Sequence, residues 1–165
     1  MRPGGGKEKG SSFERLVCVR LSKWASRGKR DDIFWRSSMS GGRATIGLQK
    51  GISRKTQTGD ISAIHQLGSN LIKNFLIECK SYRDLQVANF VFEKPSILGK
   101  FWDKLVKDSK VVGKIPLLIA KQNRFPIFIV TTNQFRGLVS IIPIPIFKTR
   151  KDLDIYLLDD WIPEI

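Results

Sequence analysis

Residues 74–81 read NFLIECKS, and this stretch decides how the rest of the chain is interpreted. It begins with an apolar run, FLI, as a buried β-strand does, and then places Glu78 and Lys80 where further core residues are expected. Side chains alternate between the two faces of a strand, so Glu78 and Lys80 share one face. Burying charged side chains costs free energy unless the charges are paired. The stretch therefore predicts a strand whose end presents an acid and a base together.

A second acid is expected beside Glu78. The strongest turn signal upstream is GSN, residues 68–70, and it predicts an antiparallel hairpin that pairs NFLIECKS with the run GDISAI, residues 59–64. In that register Asp60 lies opposite Glu78, and cross-strand neighbours on one face are about 5 Å apart. Lys80 lies on the same face, two residues farther along the strand. The hairpin therefore predicts one cluster of Asp60, Glu78 and Lys80.

The predicted cluster has a specific chemistry. Two neighbouring carboxylates repel each other and are costly to keep charged, and a divalent cation removes that cost. A small set of hard oxygen ligands suits Mg²⁺ or Mn²⁺. A lysine beside such a metal can hold or activate an attacking water and can offset the charge of a phosphate. The spacing therefore favours metal-assisted hydrolysis of a phosphodiester bond.

The chain is strongly basic. Its 165 residues include 29 Lys and Arg against 15 Asp and Glu, so the net charge is +14 and the pI is near 10.1. Residues 152–165 hold five acids and no base, so the positive excess lies in the remainder of the chain. A charge balance of this kind favours a polyanionic partner, with nucleic acid ahead of an anionic membrane surface.

Histidine and cysteine are scarce, which excludes several kinds of site. One histidine, His65, and two distant cysteines, Cys18 and Cys79, exclude a zinc site and a disulfide framework. No apolar run approaches the roughly 18–20 residues of a membrane span. Residues 1–12 lack the apolar core of a secretory signal. We therefore expect a cytoplasmic protein with no membrane partner.

The remaining pattern predicts one α/β domain with a mixed central β-sheet. Residues 1–10 are interpreted as a disordered basic arm and residues 11–165 as a single domain. Residues 87–92, VANFVF, are a candidate strand. The other predicted elements are helices at 11–28 and from Ser96 to Gly113, strands at 31–36, 115–121 and 126–132, an edge strand at 141–147, and a long basic loop at 37–58.

These residues resemble the PD-(D/E)xK nuclease superfamily. The motif consists of Asp60 preceded by a small residue, the run Glu78-Cys79-Lys80, and Glu14 in a first helix that begins KGSSFER. The resemblance covers about residues 9–132 and is greatest to the archaeal-type Holliday-junction resolvases. It implies a restriction-endonuclease-like fold, in which helices flank the mixed central sheet. The loop at 37–58 is longer than in that family, and the acidic C-terminus has no counterpart there.

The resemblance also implies a role for each motif residue. Asp60, Glu78 and the backbone carbonyl of Cys79 would bind Mg²⁺ or Mn²⁺, with Glu14 as an accessory ligand. Lys80 would orient or activate the attacking water. Glu14 has a structural alternative, because a serine three residues earlier makes a capping box, S-x-x-E, that would explain it without chemistry.

A serine of the loop before the Asp60 strand assists catalysis in the resolvases. The candidates in this chain are Ser37, Ser38 and Ser40, among which we select Ser38. Basic residues of the N-terminal segment and of the same loop are expected to contact DNA phosphates. They are Lys7, Lys9, Arg15, Arg36, Arg43, Lys50, Arg54 and Lys55.

Together these features predict a magnesium-dependent, structure-selective DNA endonuclease that acts on four-way or otherwise branched DNA. One alternative is a PD-(D/E)xK nuclease of phage, restriction or repair type that acts on linear or flapped duplex. The other is a non-catalytic DNA-binding protein of the same fold. Paired cuts across a two-fold symmetric junction are made most simply by a homodimer, with residues 126–147 and Trp161 as its expected interface. The host would be a prokaryotic cell, and the gene archaeal or encoded by a phage or virus.

Overall fold

A five-stranded mixed sheet, a separate two-stranded ribbon and helices on both faces of the sheet make up the described part of the chain. The computed structural model describes residues 5–37, 59–133, 145, 147–148 and 153–161. In chain order its elements are α1 (Gly5–Ala25), β1 (Phe34–Arg36), β2 (Ile61–Ala63), a 3₁₀ turn (Gln66–Gly68), α2 (Ser69–Asn74), β3 (Phe75–Tyr82), α3 (Val87–Val91), α4 (Ile97–Val112), β4 (Ile115–Gln122), β5 (Phe128–Thr132), β6 (Phe147–Lys148), β7 (Leu153–Leu157) and α5 (Leu158–Trp161).

The strand order in the sheet is β3-β4-β5-β7-β6. β3 and β4 are parallel and are joined by the crossover helices α3 and α4, whereas the other neighbours are antiparallel. This mixed sheet flanked by helices is consistent with the restriction-endonuclease-like fold, so the predicted fold class is confirmed. β3 occupies one edge of the sheet, which leaves one side of that strand open for the functional site.

Helix α1 covers one face of the sheet. Its buried stripe of Phe13, Val17 and Leu21 packs in one cluster with Ile77 of β3. The helix begins at Gly5, so the predicted start at residue 11 was wrong. Lysine and glutamate are good helix formers, and they extend the helix through the glycines at about 1 kcal/mol each. The serine at position 11 therefore lies inside the helix, and the capping-box explanation of Glu14 was wrong. The proposed division into an arm and a domain at residue 10 stays a prediction.

Helix α4 covers the opposite face. Its buried residues Leu98, Trp102 and Leu105 recur at the predicted spacing and belong to the second core cluster. The Ser96 hydroxyl accepts a hydrogen bond from the backbone N–H of the residue three positions on, at 2.9 Å, and caps the helix. Gly113 ends it in the left-handed conformation at φ 70°. The predictions for this helix and for both of its ends are confirmed.

The predicted hairpin between residues 59–64 and 74–81 was wrong. β2 pairs antiparallel with β1, from Phe34 opposite Ala63 to Arg36 opposite Ile61, and β3 pairs with β4. The chain between β2 and β3 is helical, since the expected turn residues belong to the 3₁₀ turn and to α2. Burial explains the difference, because α2 turns its adjacent apolar residues, Leu71 and Ile72, into the core.

One further expectation was wrong, and another stays untested. Residues 87–91 form α3 and not a strand, and their one buried side chain, Phe90, packs in the cluster around α4. The Trp161 ring packs 6.2 Å from the rings of Trp24 and Phe75 of the same chain, and its expected place at a dimer interface stays a prediction. The expected interface segment at 126–147 includes β5, a central strand, while residues 134–144 and 146 lie outside the described part of the chain.

The acidic C-terminal segment contains a core strand. β7 lies between β5 and β6, and all of its side chains up to Tyr156 are buried. Buried Asp154 accepts a hydrogen bond from the Tyr156 hydroxyl at 2.9 Å. β6 lies at the edge of the sheet. It shares only residue 147 with the edge strand predicted at 141–147, and residues 141–144 and 146 of that prediction lie outside the described part of the chain. No helix in the described ranges is long and apolar enough to cross a membrane.

Candidate active site

Asp60 reaches the open edge of β3 through its backbone and its side chain. Its N–H donates to the carbonyl oxygen of Ile77 at 2.8 Å, and its Oδ2 accepts from the N–H of Cys79 at 2.8 Å. Gly59 makes this approach possible, because it has φ 91° and a Cβ atom there would lie 2.6 Å from the Ile77 oxygen. The small residue before Asp60 is therefore required by geometry.

Glu78 and Lys80 project from the same face of β3, beside Asp60. The Lys80 ammonium donates to Glu78 Oε1 at 2.6 Å and lies 3.6 Å from Asp60 Oδ2. The side chain of Asp60 is 6% exposed, and those of Glu78 and Lys80 are each 21% exposed, so water and ligands reach the group from one side. The predicted cluster is thus assembled, although a single backbone bridge and not a hairpin brings Asp60 to the strand.

Both carboxyl groups have pKa values above their ordinary range. For Asp60 the main cause is burial, which the Lys80 ammonium and the hydrogen bond from Cys79 only partly offset. For Glu78 the causes are burial and then the neighbouring Asp60 charge, again partly offset by Lys80. Burial lowers the pKa of Lys80, but the two carboxylates outweigh it and leave that pKa raised. The site therefore carries an excess of negative charge that one ammonium does not fully neutralise.

The donor set at this edge fits a hard divalent cation. The ammonium of Lys80 already lies between the two carboxylates, where a cation is stabilised. The Ile77 carbonyl and the Cys79 N–H both point toward Asp60, and alternate residues of a strand direct their backbone groups to the same edge. The Cys79 carbonyl therefore also points to this edge. Two carboxylate groups and one carbonyl are ligands of the kind that Mg²⁺ and Mn²⁺ take, with water completing the shell.

Glu14 lies on the α1 side of this edge. Its Oε2 accepts a hydrogen bond from Arg36 Nε at 2.5 Å, and its charge contributes to the raised pKa of Asp60. Among the described residues, no three His, Cys, Asp or Glu side chains come close enough together to hold a metal ion. Glu14 is therefore near Asp60 but not in one ligand group with Asp60 and Glu78, and its role as accessory ligand stays a prediction.

The thiols of the two cysteines are structural. Cys79 is buried on the opposite face from Glu78, and burial is the main cause that raises its pKa well above the ordinary value. Burial and the nearby Glu14 charge raise the pKa of Cys18 to about 12. Neither thiol forms a reactive thiolate near neutral pH, so only the backbone of Cys79 contributes to the site.

Ser37 is the serine candidate that lies beside Asp60. Its backbone N–H donates to the Asp60 carbonyl oxygen at 2.8 Å, which extends the β1–β2 pairing by one residue pair. Ser37 is buried at this position. Ser38, which we selected from the sequence, and Ser40 lie outside the described residues.

Only some of the residues predicted to contact DNA belong to the described part of the chain. Arg15 is exposed on α1, and Arg36 is half-buried in its pair with Glu14. Lys7 and Lys9 belong to α1, but their side chains are outside the described part. The loop residues Arg43, Lys50, Arg54 and Lys55 also lie outside it.

Three residues near the site were not identified from the sequence. Tyr82 follows Lys80 on the same face of β3, and its ring contacts Phe101 of α4. The Lys80 ammonium lies 5.6 Å from the centre of the Phe101 ring. Lys104, one turn farther along α4, contributes a lowering effect on the pKa of Glu78. Tyr82 could have been found from the alternation Glu78, Lys80, Tyr82 in the sequence. Phe101 and Lys104 could not, because their proximity depends on where α4 packs.

The family comparison agrees with this geometry. Residues 5–156 match the model of a protein family described as "phage putative PDDEXK endonuclease". No curated protein and no solved structure matches the chain at a significant level. The match covers most of the chain, including α1, the strand that carries Glu78 and Lys80, and the sheet as far as β7. The chain therefore belongs to this family of phage PDDEXK endonucleases.

Proposed function

We propose that the protein is a divalent-metal-dependent endonuclease that hydrolyses phosphodiester bonds of DNA, with Asp60, Glu78 and Lys80 at its active centre. The observation that carries this proposal is the position of the Lys80 ammonium between two carboxylates on the open edge of β3. Membership of a PDDEXK endonuclease family supports nuclease activity. The net charge of +14 supports a polyanionic substrate.

Each residue of the group has a defined part in the proposed reaction. Asp60, Glu78 and the Cys79 carbonyl would hold Mg²⁺ or Mn²⁺, which when bound would polarise the phosphate and lower the pKa of a water molecule. The hydrogen bond from the Cys79 N–H fixes the Asp60 carboxylate in place. Because its pKa is raised, Lys80 stays an ammonium near neutral pH, so it donates hydrogen bonds to the attacking water or to the phosphate.

We propose branched DNA, and four-way junctions in particular, as the substrate. The proposal rests on the resemblance of the E-x-K-S motif, the helical glutamate and the Gly-Asp pair to the junction resolvases. Symmetric cleavage of a junction is made most simply by a homodimer with two active centres. Linear and flapped duplexes are the competing substrates, and DNA binding without cleavage is the competing function.

The test is cleavage of a labelled four-way junction, with linear duplex, a flap and single-stranded DNA in parallel, in Mg²⁺ and in EDTA. The variants are Asp60→Asn and Lys80→Ala, and the matched control is Lys110→Ala, an exposed lysine on α4. We expect paired nicks in the junction that require Mg²⁺ and both residues. Equal cleavage of every substrate would keep the chemistry and reject the junction. Binding without cleavage in any divalent metal would reject the nuclease.

A further inference from the structure

An aromatic pair lies directly beside the catalytic lysine. Glu78, Lys80 and Tyr82 occupy alternate positions of β3 and so share a face. The Tyr82 ring lies 5.1 Å from the Phe101 ring at an interplanar angle of 47°. The Lys80 ammonium in turn lies 5.6 Å from the centre of the Phe101 ring. The aromatic surface is therefore continuous with the group that faces the phosphate.

This pair is accessible to a ligand. Tyr82 is 46% exposed although it is the last residue of a strand whose other end is buried, and Phe101 is half-buried on α4. Leaving a large aromatic side chain exposed forgoes the free energy of burying it. Exposed aromatic rings beside a nucleic-acid backbone are typical stacking surfaces for bases, because every base has a π face.

Lys104, a cation on the same side of α4 as Phe101, adds an electrostatic contact. Lys104 lies three residues after Phe101, so it projects from the same side of α4. Its side chain is 59% exposed and pairs with Asp108 at 2.9 Å, a surface ion pair that a phosphate can replace at little cost.

We infer that Tyr82 and Phe101 form a stacking platform for an unstacked nucleobase next to the scissile phosphate, with Lys104 contacting the adjoining phosphate. This inference rests on the proposed function and deepens it. A base inside a continuous duplex is already stacked on both sides, so it gains nothing from the platform. Single strands, flaps and branch points supply an unstacked base. The platform thus selects DNA in which the base at the cleavage position lacks a stacking neighbour, as at a branch point.

The test combines binding and cleavage. A duplex that carries 2-aminopurine at an unpaired position reports stacking through quenching of its fluorescence, and the Asp60→Asn background allows this measurement without cleavage. We expect Tyr82→Ala to abolish the quenching and to lower the preference for branched DNA, four-way junction or flap, over continuous duplex about tenfold. Tyr82→Phe keeps the ring and is expected to remain within about twofold of wild type for both.

The control is Phe92→Ala, which removes an exposed aromatic ring that is not part of the Tyr82–Phe101 pair. Unfolding temperatures of all variants separate a loss of stacking from a loss of folding. If Tyr82→Ala keeps both the quenching and the preference while Asp60→Asn abolishes cleavage, the platform is rejected and the nuclease stands. If Asp60→Asn cleaves like wild type, the proposed function fails, and the quenching by itself then decides whether the rings bind bases. Quenching that also persists in Phe101→Ala would overturn the inference.

Discussion

At the residue scale, one glycine and three charged side chains define the candidate site. Gly59 allows the chain to approach β3 so closely that the next residue, Asp60, bridges to Ile77 and Cys79 by hydrogen bonds. Burial then raises the pKa of Asp60, and the position of Lys80 limits the rise. The buried position of Asp60, and hence its raised pKa, therefore depends on the absence of a Cβ atom at residue 59.

Gly59→Ala is expected to disrupt the site. The added Cβ would lie 2.6 Å from the Ile77 oxygen, and φ 91° is strained for any L-residue. We expect a loss of about 1–3 kcal/mol in the free energy of unfolding, together with a loss of cleavage activity. Urea unfolding measures the first. The matched control is Gly10→Ala, where a Cβ meets nothing within 4 Å and alanine favours the helix. Equal stability of the two variants would contradict the account.

Asp60→Asn is expected to separate stability from metal binding. In the metal-free protein the charged form of Asp60 is disfavoured by burial, so a neutral amide of the same shape should leave the unfolding temperature unchanged or raise it. The same change removes an anionic ligand, so the stabilisation by Mg²⁺ should disappear. Thermal unfolding in EDTA and in Mg²⁺ measures both effects. Equal stabilisation of wild type and variant by Mg²⁺ would remove Asp60 from the metal site.

The raised pKa values of the two carboxyl groups set the sign of the pH dependence of stability. The pKa values of Asp60 and Glu78 are raised on folding, so their contribution to stability is fully present below the unfolded pKa values near 4 and is lost as the pH rises through the folded values. Mg²⁺ binds only the charged form. We therefore expect Mg²⁺ to raise the unfolding temperature more at about pH 7 than at about pH 5. Calorimetry at both values decides, and a larger effect at the lower pH would contradict the assignment.

At the element scale, the sequence predicted that Asp60, Glu78 and Lys80 lie together but not how the chain connects them. The acid, the lysine and their shared face follow from a period of two within NFLIECKS, which is a local property. The route of Asp60 to that strand depends on whether Leu71 and Ile72 are buried by a helix or exposed in a turn, and this depends on packing. β7 was missed because its acids were interpreted as a charged segment, although Asp154 is buried.

Helix α4 offers a test of the element that bears Phe101 and Lys104. Its N-cap is Ser96, whose hydroxyl accepts from the Gly99 N–H. Ser96→Ala is expected to cost about 1 kcal/mol of stability, while Ser96→Thr retains the capping oxygen and should cost less. Urea unfolding of the two variants provides the comparison. Equal destabilisation would indicate that the cost arises from packing at this buried position and not from the cap.

At the scale of the whole molecule, the charge determines how DNA is bound. The chain carries a net charge of +14, whereas the cluster at the edge of β3 is locally acidic. We therefore expect basic surfaces to supply the phosphate contacts and the acidic edge to bind a cation. Such binding releases counterions and weakens steeply with salt.

DNA affinity is accordingly expected to fall by at least about 100-fold between about 50 and 200 mM salt. Fluorescence anisotropy with the Asp60→Asn protein measures affinity without cleavage. Arg15→Ala, at an exposed basic position on α1, should reduce the salt slope by about one contact. An affinity independent of salt would contradict phosphate binding as the main source of affinity.

The central claim is that Glu78, together with Asp60 and Lys80, forms the catalytic centre of a metal-dependent nuclease. The most direct measurement is the single-turnover rate of DNA cleavage in Mg²⁺ by wild type and by Glu78→Gln, with DNA affinity determined for both. We predict that the rate falls at least about 100-fold while the affinity stays within about threefold. A Glu78→Gln protein that cleaves at the wild-type rate would contradict the claim.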